Sequence, residues 1–174
     1  MIEPTDRALH IAGFALAHAA FSICEAAEGN LIPFGFFRQG SLLAPKTEMS
    51  RFFTGTLEGS VAAGRGEVAA RKKKCQCWAL AFESFLTHSG GQVDAFTIEA
   101  GDKKMPVQFA VLQPFQPFAS GTFKLLGPPG LAMGDIQGRT VEGEEAARFT
   151  RALRKGVGNH PTASSRWQEW GAVW

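Results

Sequence analysis

The chain has 174 residues, of which 45% are hydrophobic and 20% are charged, and its formal net charge is +2. These values exclude an intrinsically disordered chain and are typical of a globular protein long enough to bury a core without disulfides or metals. So small a net charge does not by itself indicate a polyanionic partner, although residues 38–74 carry eight bases and only three acids.

The first predicted element is a helix within residues 5–30. Thr5 can cap its N-terminus, and Asp6 lies in the first turn, where the helix dipole favours an acid. Apolar residues point in several directions around this helix, so we expect it to be covered on most sides. The apolar run from Leu9 to Cys24 is interrupted by histidines and a glycine and is shorter than the roughly 20 residues of a membrane span. We therefore predict a core helix.

Two strands and a second helix are predicted next. Residues 31–41 predict a strand, residues 39–50 a polar loop, and residues 50–55 a second strand, which together would form a long-looped hairpin. Residues 56–74 have apolar residues near helical spacing and four bases at the end. Three glycines weaken this helix by about 1 kcal/mol each relative to alanine. We expect any break to lie near Gly64.

The strongest structural prediction is an antiparallel meander of strands at 75–88, 92–101 and 105–113. The two short connections between them, SGGQ and GDKK, have the composition of hairpin turns. Segment 114–138 is then punctuated by proline and glycine, with a short strand at 122–126. We interpret this segment either as a lid or docking loop or as a structural loop.

The last clear element is a helix over residues 140–156. Thr140 can cap its N-terminus, acids fill its first turns and bases its last, and Gly156 can serve as C-cap. Residues 162–174 add a final turn or two that carry three of the four tryptophans.

This succession predicts an α+β fold in which helices pack against one antiparallel sheet built of a hairpin and a three-stranded meander. The predicted order is α-β-β-α-β-β-β-α, in a single domain over residues 1–174. Over residues 5–156 this element order resembles that of the roadblock/longin group of small domains. Members of that group serve mostly as assembly and regulatory platforms, so the resemblance implies an interaction role, while the irregular segment before the last helix departs from the group.

A cationic run followed by two cysteines is the most unusual local pattern. Arg71, Lys72, Lys73 and Lys74 are candidates for phosphate contacts. Consecutive helical residues point in different directions, however, and bases at a helix C-terminus are favoured without any ligand. We therefore interpret the run as a solvated helix end and nucleic-acid binding through residues 65–74 as the minor alternative.

The two cysteines of this stretch, Cys75 and Cys77, would share one face of a strand. A structural zinc site needs four ligands, and neither Cys24 nor the histidines supply a second close pair. We predict small buried thiols and no metal. The GRGEVA sequence at 64–69 falls inside a predicted helix rather than at a strand-to-helix turn, so we predict no nucleotide cofactor.

The catalytic candidates are His18, Glu25 and Asp94. A histidine on an apolar helix can be a general base, or it can be a core residue with one hydrogen-bond partner. Asp94 can join Glu83 and Glu99 in a carboxylate cluster, or all three can belong to the polar outer face of a sheet. No nucleophile motif accompanies these residues, and we assign no catalytic residue.

Aromatic residues near the C-terminus are the candidates for partner binding. They are Trp167, Trp170 and Trp174, which one helical face can carry together, and Phe115 and Phe118 in the irregular segment. We predict a non-enzymatic cytoplasmic interaction or assembly domain, expected to be a homodimer. A small-molecule binder or enzyme with a phenylalanine-lined pocket near His18 is the alternative.

Overall fold

The computed structural model describes residues 4–25, 29–40, 44–105, 108–133 and 143–174. The helices are α1 (Asp6–Glu25), α2 (Leu57–Arg71), α3 (Gly143–Gly158) and α4 (Ala163–Arg166), with a short 3-10 helix at Phe118–Ser120. The strands are β1 (Phe34–Gly40), β2 (Pro45–Arg51), β3 (Cys77–His88), β4 (Gly91–Asp102), β5 (Phe109–Gln116), β6 (Lys124–Leu125) and β7 (Gly130–Met133). The predicted α+β class and element order are confirmed.

The described strands form one antiparallel sheet in the order β2-β1-β3-β4-β5-β6, and β7 also pairs with β5. The β3–β4 ladder is the longest, running from Cys77 opposite Asp102 to His88 opposite Gly91. Strand β5 continues this meander, as predicted. The β1–β2 hairpin joins the meander through the pairing of β1 with β3.

Side-chain alternation along the strands divides the core between the two faces of the sheet. Phe34, Ala81, Phe96 and Ile98 belong to the larger hydrophobic cluster, on the face covered by α1. Residues of the opposite parity form a smaller cluster with α2, whose members are Phe37, Val61, Val68, Cys75, Trp78, Leu80 and Phe82. The period of two in a strand is the reason that one stretch of β3 serves both clusters.

Helix α1 is the central helix of the larger cluster. Thr5 caps it as predicted, since its hydroxyl oxygen accepts the N–H of Ala8 (3.2 Å). Among the described helices, α1 is the one long and apolar enough to cross a membrane by length and composition, and most of its candidate span is buried inside the fold. Such burial is typical of the core helix of a soluble protein, and the cytoplasmic location stays a prediction.

Two glycines allow α1 and α3 to cross backbone against backbone. A Cβ atom at Gly13 would collide with the Leu153 carbonyl of α3, and one at Gly156 would collide with the His10 carbonyl of α1. Gly156 was predicted as a C-cap, but α3 continues to Gly158 and Gly156 is buried at the crossing. The predicted cap Thr140 lies outside the described residues.

Four further local predictions are corrected. The polar loop at 39–50 contains β2, so the second strand of the hairpin is 45–51 rather than 50–55. Helix α2 is unbroken, and Gly64 is buried where a Cβ atom would crowd the side chains of Leu80 and Phe52. The third strand of the meander extends to Gln116, and β7 was not predicted. Within the described part of segment 114–138, residues 114–116, 124–125 and 130–133 pair with the sheet.

Candidate functional site

Strand β2 forms an open edge of the sheet. Within the described chain it pairs with β1 alone, and each of its residues is exposed or half-exposed. The N–H of Phe52 donates to the Pro33 carbonyl (2.8 Å). Because hydrogen-bonded and non-bonded pairs alternate in an antiparallel ladder, this bond fixes the direction of the β2 backbone groups. Those of Thr47, Met49 and Arg51 point away from β1, towards solvent.

Exposed apolar side chains lie at one end of this edge. Ile32, Met49, Phe53 and Leu57, which we call the apolar corner, are each more than a third exposed, and Phe53 is 81% exposed. The Phe52–Pro33 hydrogen bond holds their two chain segments together. Sequence reasoning missed this corner, since the exposure of an isolated phenylalanine cannot be read from its neighbours.

An ion-pair network supports the polar face of β2. The Glu48 carboxylate contacts Lys46 Nζ (3.0 Å) and Arg71 Nη2 (2.7 Å). Hydrogen bonds from Lys46 and then Arg71 hold the pKa of Glu48 below its usual value. Arg71 also lies over the Phe37 ring (4.2 Å). This member of the predicted cationic run therefore fastens the end of α2 to the hairpin.

The three lysines that follow Arg71 in that run belong to a larger group of bases at one end of the molecule. Helix α2 ends at Arg71, and Lys72, Lys73 and Lys74 follow in an exposed turn. The N–H of Lys103 donates to the Gln76 carbonyl (3.2 Å), which brings the exposed Lys103 and Lys104 beside them. The N–H of Gln76 donates in turn to the Arg38 carbonyl (2.7 Å). We call the six bases of these segments, Arg38, Lys72, Lys73, Lys74, Lys103 and Lys104, the cationic end.

Cys75 and Cys77 do not share a face. Cys75 is buried in the α2-side cluster, whereas Cys77 begins β3 and is buried in the α1-side cluster. Burial raises the pKa of both thiols, that of Cys77 to about 12. No group of three or more histidine, cysteine or acidic side chains suited to a metal occurs in the described ranges.

His18 forms a hydrogen-bonded pair with His160. The Nδ1 atom of His18 lies 3.1 Å from Nε2 of His160, and Nδ1 of His160 accepts the N–H of Ala163 (3.0 Å). Because Nδ1 of His160 is an acceptor, its Nε2 carries the proton and donates to His18. The proton of neutral His18 is then on Nε2, a buried atom with no partner.

Aromatic rings surround this histidine pair. Phe34 and Phe36 meet the His18 ring edge-on, with centroids 4.9 and 5.4 Å away. Burial, then the nearby His160 and Arg51, lower the pKa of His18 to about 4. A neutral ring packed in this way favours the interpretation of His18 as a core residue rather than as a general base. A surface groove of about 590 Å³ lies elsewhere, lined by residues 4–7 and Arg148.

The acidic candidates are dispersed. Glu25 is exposed and pairs with Arg166 (2.8 Å). Glu99 lies on the α2 side of the sheet and accepts from Arg65 Nε (3.1 Å), while Glu83 and Asp94 lie on the α1 side. Burial and, to a lesser degree, Asp94 raise the pKa of Glu83, although the N–H of Leu31 donates to it. The three-carboxylate cluster therefore does not form.

The aromatic partner candidates lie mostly inside the protein. Trp167 and Trp170 are buried in the larger cluster, and Trp174 stacks on Trp167 with centroids 5.9 Å apart. Phe115 is buried and stacks on Phe96 (4.2 Å). Of the five candidates, Phe118 is the large side chain that remains strongly exposed.

Comparisons with protein-family models, with curated proteins and with solved structures each found no match to this chain.

Proposed function

We propose that this protein is a self-associating interaction domain whose dimer forms by pairing of the open β2 edges. The single observation that carries the proposal is the solvent-facing row of backbone groups on β2, beside exposed Met49 and Phe53. An edge strand is a template for a strand from another chain, and backbone hydrogen bonds then supply affinity. Two copies of β2 related by a twofold axis would extend the sheet across both protomers.

The register of this pairing can be argued from the residues. With Met49 on the twofold axis, Thr47 lies opposite the partner's Arg51, and the outward N–H and C=O groups of all three residues find partners. Glu48 then lies opposite the partner's Ser50, and Phe53 lies beside the partner's Pro45. No like charges face each other, and apolar area at Met49 and Phe53 is buried.

Two neighbouring registers are less favourable. Centring on Glu48 places two carboxylates directly opposite each other, which is destabilising. Centring on Thr47 pairs Lys46 with the partner's Glu48, but both groups already form an ion pair within the chain and surface pairs contribute little. That register also places Pro45, which has no N–H, in the new ladder.

Cysteine cross-linking tests the pairing and its register. In a background with Cys24→Ser, Met49→Cys is expected to form an intermolecular disulfide under mild oxidation, because hydrogen-bonded antiparallel pairs have Cα atoms about 5.5 Å apart. Light scattering of the unmodified protein is expected to give the mass of a dimer. Phe53→Ser is expected to shift it towards monomer, whereas Phe118→Ser, which removes a 48% exposed ring just after β5, four strands from β2 in the sheet order, leaves it dimeric.

The matched controls are Thr47→Cys and Arg51→Cys. Neither lies on the proposed twofold axis, so both are expected to cross-link far more slowly than Met49→Cys. Preferential cross-linking of Thr47→Cys would show that the edges pair in the register centred on Thr47. A monomeric mass together with no cross-link at any of the three positions contradicts the proposal.

A further inference from the structure

The cationic end gathers bases that are distant in sequence. Two turns, at 72–76 and 102–105, are joined by the hydrogen bond between Lys103 and Gln76, and Arg38 lies next to them on β1. The amide of Gln76 also donates to the Gly40 carbonyl. Backbone hydrogen bonds therefore fix the two lysine turns relative to each other, so their five charges lie at one end of the sheet.

These five lysines have no acidic partner in the part of the chain that the structure describes. In the described chain, the ion pairs involve none of Lys72, Lys73, Lys74, Lys103 or Lys104. Asp102, the acid that precedes Lys103 in the chain, is buried and accepts from Thr5 (3.0 Å) and from the N–H of Lys104 (2.7 Å). Asp102 also lies 3.6 Å from Arg7, which balances its charge.

Arg38 adds a recessed guanidinium to the lysines. Its Nε is buried and has no hydrogen-bond partner, a situation that costs the desolvation of a charged donor. Burial and then the charges of Arg38 and of Lys155 on α3 lower the pKa of His10, so the positive charge of Arg38 acts on α1. An anion near Arg38 would offset this positive potential.

We propose that the cationic end binds the backbone phosphates of double-stranded nucleic acid, without reading base sequence. Paired phosphate rows present dense negative charge to lysines from two adjacent turns, and a guanidinium fork suits a discrete phosphate. The exposed rings Phe53, Phe85 and Phe118 lie at the opposite end of the sheet. The described part of the cationic end therefore lacks the aromatic platform on which single strands stack.

An anionic membrane is the main competing ligand. Lysines alone give weak membrane attachment, and stable anchoring takes a second signal such as a lipid chain. The diffuse negative charge of a membrane surface also gives no particular role to a partly buried arginine such as Arg38. For these reasons the observations favour the duplex, and vesicles become one arm of the test.

The test measures binding of the full chain to a short labelled DNA duplex of mixed sequence, by fluorescence anisotropy at salt concentrations between about 50 and about 200 mM. If all five lysines meet phosphates, the slope of log Kobs against log salt is expected to be about −4 to −5. The double variant Lys103→Gln/Lys104→Gln is expected to reduce the magnitude of that slope by about 2. The triple variant at residues 72–74 is expected to reduce it by about 3.

The matched control is Lys124→Gln/Arg151→Gln, which removes two exposed charges outside the cationic end and is expected to leave the slope unchanged. All these substitutions are on the surface, and circular dichroism checks that each variant is folded. The proposal is overturned if the unmodified chain fails to bind the duplex at the lowest salt, or if the control variant loses as much affinity. It is also overturned if single strands of equal length bind more tightly, or if phosphatidylserine vesicles are bound in preference to the duplex.

Discussion

At the residue scale, the hydrogen bond from Nε2 of His160 to Nδ1 of His18 depends on the protonation state of both rings. It requires both rings to be neutral, because protonation of His18 at Nδ1 would set two N–H groups against each other. The pKa of His18 is lowered to about 4 in the folded chain by burial, His160 and Arg51, against about 6.5 in an unfolded chain. Between these values the unfolded chain binds more protons, so stability falls as the pH falls from about 6.5 towards 4.

Urea denaturation at several pH values across this window measures the effect. We expect the midpoint of the native protein to fall more steeply with acidification than that of His18→Leu, which cannot titrate. Phe21→Leu, a change in a ring that also neighbours the pair, should lower the midpoint at every pH and keep the native slope. Equal slopes for the native protein and His18→Leu would show that the histidine pair does not control acid stability.

At the scale of elements, the crossing of α1 and α3 depends on the absence of side chains at two positions. A Cβ atom at 156 would lie against the His10 carbonyl, within 2.9 Å of the Phe14 N and within 3.0 Å of the Gly13 Cα. These are backbone atoms, which cannot rotate away. We expect Gly156→Ala to cost roughly 1–3 kcal/mol of unfolding free energy, as overpacking does.

Gly158→Ala is the matched control for this crossing. It lies in the same helix, and a Cβ atom there would meet nothing within 4 Å, so we expect no loss and a gain of up to about 1 kcal/mol. Equilibrium unfolding in urea measures both variants. If the two alanines had the same effect, the helices could not be in backbone contact at Gly156.

The elements that were predicted from sequence have a local apolar pattern. Helix α3 and strand β5 show the 3.6 or 2.0 repeat that burial on one side imposes, whereas α1 and much of β3 and β4 are continuous apolar segments that are buried on most sides. Strand β2 was missed because PKTEMSR lies in water on both faces, so no alternation marks it and pairing with β1 determines its conformation. The break predicted at Gly64 was wrong because a glycine is needed there to pack against Leu80, and a contact between distant residues cannot be read from the local sequence.

The candidate sites depended still more on tertiary structure. The run at 71–74 was visible in the sequence, but Lys103 and Arg38 join it only through the sheet register. That register is set by pairing between distant segments, and a local pattern does not encode it. Side-chain alternation along β4 places Glu99 and Asp94 on opposite faces, and the β3–β4 pairing places Glu83 on the Asp94 side, so the cluster that was one of two interpretations of these acids does not form.

At the scale of the whole molecule, the two layers of helices are unequally anchored. Helix α1 buries 11 of its 20 residues, whereas α2 buries only 4 of 15, so far less apolar area holds α2 to the sheet. The remaining ties of α2 are polar, chiefly the contacts of Arg65 with Glu99 and of Arg71 with Glu48. Regions with few buried apolar contacts open locally below the global unfolding free energy.

Native-state hydrogen exchange tests this hierarchy. We expect the amides of α2 to exchange through an opening of lower free energy, and of weaker urea dependence, than the amides of α1 and β3. Arg65→Ala should lower protection in α2 while leaving α1 unchanged, because it removes a tie that only α2 makes. Arg154→Ala, on the exposed side of α3, serves as the control and should leave α2 unchanged. If the amides of α1 and α2 instead exchanged with the same opening free energy in the native protein, α2 would unfold only together with the rest of the chain and the predicted local opening would be wrong.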